Sequence, residues 1–124
     1  MTLNDIDIFK QACLINGEWV TTSDSLEVDN PATGEVIASI PQLDADAVNQ
    51  AVTAANDAFK LWRKKTPAER GELVRKWYEL MMEHTDELAT IMTTEQGKPL
   101  AEAKGEIAYA ASYVKWFAEE AIRI

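Results

Sequence analysis

The composition and charge of this 124-residue chain exclude several classes of protein and partner before any motif is considered. The formal net charge of −9, from 21 acidic and 12 basic residues, argues against nucleic acid and anionic membranes as partners, because both attract basic surfaces. One cysteine permits no internal disulfide, no apolar run approaches the roughly 20 residues that span a bilayer, and the first residues carry no leader pattern, so we expect a cytoplasmic protein.

The first third of the sequence predicts short strands and turns. The string LINGEWV at residues 14–20 places Asn-Gly between short apolar flanks, which is a strong signal for a β-hairpin. Two further apolar runs, at residues 26–28 and 36–40, flank the turn-forming segment Asn30–Gly34. We therefore expect short hairpins over residues 14–40.

The apolar period changes from two to 3.6 after Pro41, which predicts helices over residues 44–124. Asp44 can cap the first of them. The apolar stripe of this first helix comprises Val48, Ala51, Val52, Ala55, Phe59 and Trp62.

A second helix is predicted to begin at Thr66-Pro67-Ala68-Glu69, where threonine is the cap, proline takes the first helical position and glutamate can return the capping bond. We expect a restart or kink near Thr85-Asp86 and an end at Gly97. The apolar side of the second helix comprises Leu73, Val74, Trp77, Leu80 and Met81.

The last helix is predicted to open at Pro99 and to have two apolar faces. One is a stripe of Leu100, Ala103, Ile107, Ala110, Val114, Phe117 and Ala121. The other is aromatic and comprises Tyr109, Tyr113, Trp116 and Phe117. Two apolar faces predict a helix that is buried on most sides. The aromatic face fits either core packing or the wall of an apolar ligand pocket.

The C-terminal residues predict an incomplete protein. Ala118–Ile124 keeps helical character with no glycine, asparagine or proline to close the helix. An apolar Ile-Arg-Ile terminus is also an unusual way to finish a domain. We therefore expect a piece of a larger protein that stops inside a helix.

No catalytic, cofactor-binding or metal-binding set is recognisable in the sequence. His84 is the sole histidine and falls at the predicted helix junction, and Cys13 has no basic neighbour that would activate its thiol. The spacing of Lys98, Glu102 and Glu106 is explained by side-chain pairing on a solvated helix face. The five glycines never cluster into a phosphate-binding loop.

Specific strings give the chain a family resemblance. LINGEWV, DNPATGEVIASIP, LMMEH and EQGKPLAEAKGEIAYAASYVKWFAEEA occur in succession, and the run from Glu95 to Glu106 is the most particular of them. This succession resembles the N-terminal part of the aldehyde dehydrogenase superfamily, most of all its bacterial succinate-semialdehyde dehydrogenase branch. The resemblance implies an α+β fragment of short N-terminal hairpins followed by about four helices, the leading part of the family's α/β fold, with the remainder of the parent chain absent beyond residues 1–124.

The resemblance also implies a function for the parent protein. Members of this branch oxidise a short semialdehyde with NAD or NADP through a cysteine nucleophile and a glutamate base, and the strings around those residues do not occur here. We therefore expect this fragment to bind no cofactor and to be inactive alone. In relatives the last of these helices runs past the substrate tunnel, which makes the four aromatic residues named above candidates for tunnel-wall positions.

Several alternatives stay open at this stage. The substrate of the parent is succinate semialdehyde or its longer homologue glutarate semialdehyde, and its cofactor is NAD or NADP. We expect a homo-oligomer. The chain can also be a short non-catalytic paralogue that acts as an oligomerisation or binding module.

Overall fold

Strands come first along the chain and helices follow, in the order that the sequence predicts. The computed structural model describes residues 3–123, and the chain divides into two compact units between Trp62 and Arg63. The first unit holds a 3₁₀ turn at Leu3–Asp5, four strands and one helix, and the second holds three helices. This arrangement confirms the predicted α+β fragment of short hairpins and four helices.

The first hairpin pairs β1 (Cys13–Ile15) with β2 (Glu18–Val20) in antiparallel register. Asn16 and Gly17 between the strands have φ of 53° and 81°. Positive φ at both central residues matches the twist of a two-residue hairpin, and asparagine and glycine are the residues that tolerate it. The hairpin predicted from Asn-Gly is therefore confirmed.

The second hairpin pairs β3 (Ser25–Asp29) with β4 (Val36–Pro41). Its turn begins at Asn30, whose Oδ1 accepts a hydrogen bond from the Ala32 N–H at 2.9 Å and whose carbonyl accepts from the Gly34 N–H at 2.7 Å. These bonds from one asparagine close the turn, as the turn-forming residues predict.

The helix α1 (Ala45–Trp62) begins as predicted, because Asp44 Oδ1 accepts a hydrogen bond from the Ala47 N–H at 2.9 Å. Only the alanines of its predicted stripe make contacts with the first hairpin. Four alanines line a groove with the tip of the first hairpin; they are Ala51, Ala54, Ala55 and Ala58. The larger members of the predicted stripe are exposed; they are Val48, Val52, Phe59 and Trp62. The small alanine side chains let the hairpin tip approach this side of α1.

In the second unit, α2 (Pro67–Glu83) starts at a complete capping box. Thr66 Oγ1 accepts a hydrogen bond from the Glu69 N–H at 3.3 Å, and Glu69 Oε2 accepts one from the Thr66 N–H at 2.7 Å. Pro67 occupies the first helical position without loss, since its missing N–H has no intrahelical partner there. The predicted start of this helix is confirmed.

His84 separates α2 from α3 (Thr85–Gln96), and Gly97 ends α3 with φ of 80°. The left-handed conformation at Gly97 is the one that glycine adopts at little cost after a helix. The predicted restart and the predicted glycine end are both confirmed. The last helix, α4 (Leu100–Glu120), follows with Pro99 as its cap residue.

The small-residue side of α4 packs against α2 and α3. Its buried residues are Ala103, Ile107, Ala111 and Ala118. Near the start of the helix, Ala103 and Ile107 form a cluster with Ala89 of α3, against which Leu88 and Met92 also pack. This end of α4 therefore contributes the apolar core shared with α3.

The backbone of α2 lies close to α4 at Gly71. A Cβ added at this glycine would lie 2.9 Å from the Ala118 carbonyl oxygen and 2.9 Å from Ile122 Cγ1. Further along the same pair of helices, the Lys115 ammonium lies 5.7 Å from the centre of the Tyr78 ring. The backbone of α2 approaches α4 at a point where no side chain larger than hydrogen fits.

Three predictions about α4 are wrong in whole or in part. The predicted stripe is right at Ala103 and Ile107, which are buried, but it included Ala110 and Phe117, whereas the other buried positions are Ala111 and Ala118. The aromatic face is exposed, so the helix is not buried on most sides among residues 3–123. The helix ends at Glu120, where the Arg123 N–H bonds to the Glu120 carbonyl at 3.0 Å, and Ile124 lies outside the described residues.

Removal of the capping carboxylate is predicted to destabilise the chain in a pH-dependent way. The backbone and side-chain hydrogen bonds from Thr66 hold the pKa of Glu69 below its usual range. A carboxyl group with a lowered folded-state pKa stabilises the fold at neutral pH and loses that contribution as the pH falls through the lowered pKa. Glu69→Ala should therefore lower the free energy of unfolding at pH 7, with a difference from the original chain that shrinks in acid.

Urea denaturation followed by circular dichroism over a pH series measures this difference. Glu72→Ala is the matched control, since Glu72 lies one turn further along α2 and outside the capping box. A Glu69→Ala difference that stays constant down to about pH 3, well below the ordinary carboxyl pKa, would contradict the capping role.

Alanine at the two helical glycines is predicted to have opposite effects. Gly71→Ala should destabilise by about 1–3 kcal/mol, because the new methyl group meets the Ala118 carbonyl and overpacks the contact. Gly105→Ala should stabilise by roughly 0.5–1 kcal/mol, because nothing lies within 4 Å of its added Cβ and alanine favours the helix. Thermal unfolding measures the stability of each variant against the original chain. A Gly71→Ala variant as stable as Gly105→Ala would refute the close contact.

Candidate functional site

The aromatic residues of α4 lie together on the side away from its small-residue stripe. Tyr113 follows Tyr109 by four residues, and Trp116 and Phe117 follow Tyr113 by three and four, which places all of them on one side of the helix. With Ser112 they line an open groove of about 480 Å³, whose other lining residues are Tyr109, Tyr113, Trp116 and Phe117. The structure therefore brings together all four of the residues that the sequence nominates.

The two tyrosines of the groove form a hydrogen-bonded pair. Their hydroxyl oxygens are 2.7 Å apart, and their rings meet edge to face with centroids at 5.1 Å and an interplanar angle of 87°. The hydrogen bond between the two hydroxyls, and to a lesser extent burial, raises the pKa of Tyr113. Since the two hydroxyls share one hydrogen bond, one O–H remains able to donate to a ligand.

Ser112 is the lining residue that the sequence prediction missed. Its hydroxyl donates to the Tyr109 carbonyl at 2.6 Å, so its polar atom is engaged by the helix backbone. The position follows Tyr109 by three residues and precedes Tyr113 by one, and helical spacing alone could have identified it. Ser112 adds a small side chain to the wall and leaves the tyrosine hydroxyls as the groove's available polar group.

The exposure of the groove shows how far core packing within this chain accounts for the aromatic face. The side chains of Tyr109, Tyr113, Trp116 and Phe117 are 51–63% exposed. Core packing within residues 3–123 therefore does not account for them. Aromatic side chains bury large apolar areas and favour ligand or partner contacts, so the face is suited to contact with an apolar molecule or another protein segment.

The other residues considered as candidates for catalysis or metal binding are Cys13 and His84. Cys13 is half-buried in β1. His84 Nδ1 lies 2.5 Å from Glu87 Oε2 at the junction of α2 and α3. Across residues 3–123, no group of three or more His, Cys, Asp or Glu side chains is arranged to hold a metal ion.

The lysines around the start of α4 pair in a way that spacing alone does not predict. Lys98 bonds to Glu106, two turns along, and this bond raises the pKa of the Lys98 ammonium. Lys104 reaches back to Asp86 of α3 at 2.8 Å. The first pair links the residues before α4 to its second turn, and the second links α4 to α3.

Comparisons with known proteins identify the family to which this sequence and fold belong. The profile of the aldehyde dehydrogenase family matches residues 19–124. An NADP⁺-dependent succinate-semialdehyde dehydrogenase of Escherichia coli is 53% identical over all of this chain and 26% of its own length. A glutarate-semialdehyde dehydrogenase of Pseudomonas putida is also 53% identical, with the same coverage. The chain thus spans about a quarter of the length of these relatives and matches their N-terminal part.

Solved structures give the same result. The crystal structure of an E. coli NADP-dependent enzyme superposes with a TM-score of 0.95 at 53% identity, over 99% of this chain and 26% of that one. A Staphylococcus aureus betaine aldehyde dehydrogenase in complex with NAD⁺ superposes with a TM-score of 0.90 at 27% identity, over 97% and 25% of the two chains. In the described part of the present chain, no helix is both long enough and apolar enough to cross a membrane.

Loss of the tyrosine pair should be visible in a phenol titration. In Tyr109→Phe, Tyr113 loses the hydrogen bond that raises its pKa, so Tyr113 should ionise at lower pH than in the original chain. Because a raised folded-state pKa gives stability that is lost as the pH rises through it, the original chain should also lose this contribution only at high pH. Absorbance near 295 nm against pH measures the ionisation, and urea denaturation over the same pH series measures the stability, with Tyr78→Phe as the control that keeps the pair. Unchanged ionisation of Tyr113 in Tyr109→Phe would show that the pair does not form.

The exposed aromatic face should make the isolated chain self-associate, because contiguous apolar patches of this kind drive contact between copies. Size-exclusion chromatography with light scattering should give a mass above the monomer at micromolar concentration. Trp116→Lys should shift the distribution toward monomer, whereas Gln50→Lys, which adds the same charge on α1, should not. A monodisperse monomer of the original chain would contradict this expectation.

Proposed function

Because the chain belongs to the aldehyde dehydrogenase family, we propose that it forms the N-terminal part of an NAD(P)-dependent enzyme that oxidises succinate semialdehyde to succinate. The observation that carries the proposal is the 53% identity to the E. coli succinate-semialdehyde dehydrogenase, which extends over the whole chain. The matching fold, with a TM-score of 0.95 to an E. coli NADP-dependent enzyme, supports it.

In the parent enzyme, this chain would pack against the other segments and line part of the substrate tunnel, and the catalytic residues would lie in the rest of the protein. Oxidation of an aldehyde by a cysteine enzyme needs an activated thiol and a base. Cys13 lies in a short strand, and His84 is engaged by Glu87. The described glycines with positive φ, at Gly17, Gly34 and Gly97, belong to separate turns and do not fit a nicotinamide dinucleotide. We therefore propose that the isolated chain is inactive and binds no cofactor.

The aromatic groove of α4 is our proposal for a wall of the substrate tunnel. Tyr109, Tyr113, Trp116 and Phe117 provide an apolar surface, and the tyrosine pair offers one hydrogen-bond donor to a carbonyl or carboxylate oxygen. Apolar pockets with a few placed polar groups are typical of small-molecule sites. The parent's remaining segments would close the open side of the groove.

Glutarate semialdehyde is the second candidate substrate, favoured by the equal identity to the P. putida enzyme that acts on it. The two semialdehydes differ by one methylene, which changes discrimination in a pocket by only about 1–3 kcal/mol. Both candidates share a terminal carboxylate, so the proposed class is a short semialdehyde acid. NAD and NADP both remain within the proposal, together with a cytoplasmic location and a homo-oligomeric parent.

A non-catalytic binding module is the alternative function. The observation that favours it is the number of large apolar side chains exposed on both units, which a partner or a second copy could cover. The coding sequence distinguishes the two functions. A reading frame that continues past Ile124 into a cysteine nucleophile and a cofactor turn supports the dehydrogenase, whereas a stop codon there, with abundant stable protein in cells, supports the module.

The isolated chain is predicted to give no aldehyde-dependent NADH or NADPH when mixed with succinate semialdehyde and either oxidised cofactor. Absorbance at 340 nm of a pure, mass-verified sample measures this, with the E. coli relative as the positive control. Turnover that persists through further purification and disappears in Cys13→Ala would overturn the division of labour proposed above. Turnover that is unaffected by Cys13→Ala and lost on purification would indicate a contaminant and leave the prediction standing.

A further inference from the structure

We draw no further inference here: the strongest candidate, the exposed apolar stripe of Leu73, Trp77 and Leu80 along α2, carries none because nothing in the structure shows what covers it.

Discussion

The close approach of α2 to α4 at Gly71 is the contact on which the second unit depends. A side chain at this position would meet the backbone carbonyl of Ala118, which cannot move without moving the helix. The side of α4 that faces its neighbours therefore carries small residues, with Ala111 and Ala118 almost completely buried. Where the two helices approach closely, dispersion contacts between their backbones take the place of contacts between larger side chains.

The same constraint explains why the aromatic residues of α4 point outward. The face of α4 that packs against its neighbours holds only alanines and one isoleucine, so the bulky residues of the helix lie on the opposite face. Tyr109, Tyr113, Trp116 and Phe117 accordingly form a groove on the exposed side. A hydrogen bond and an edge-to-face contact join the two tyrosines of this groove. The proposed tunnel wall is thus a consequence of how α4 packs on its inner side.

Signals that act over a few residues could be predicted from the sequence. Asn16-Gly17 determines its hairpin because the required positive φ is a local property, and Thr66 and Glu69 determine a helix start because both partners lie within one turn. The aromatic cluster of α4 was predictable for the same reason, since helical spacing alone brings its members together. The family, too, was identifiable from the run between Glu95 and Glu106.

Features that depend on a neighbouring element could not be predicted in this way. Periodicity places apolar residues on a face but does not say which of them meet another element. The predicted stripe of α1 therefore combined alanines that line the groove with the first hairpin and larger residues, such as Val52 and Phe59, that are exposed. The predicted stripe on α4 is right at Ala103 and Ile107 and misses Ala111 and Ala118, which are buried because α4 packs on its neighbours through small residues. Lys98 pairs with Glu106 although Glu102 is closer in sequence, because the chain before α4 is not yet helical.

Radical footprinting of the three tyrosines tests most directly whether α4 packs through its small residues and presents its aromatic face to solvent. Each residue serves as an internal standard for the others, since the side-chain chemistry is identical. In a sample dilute enough to be monomeric, Tyr109 and Tyr113 should be oxidised faster than Tyr78, which is half-buried between α2 and α4. Faster oxidation of Tyr78 than of the α4 pair would mean that the helix packs the other way round, and the account of both the fold and the groove would be wrong.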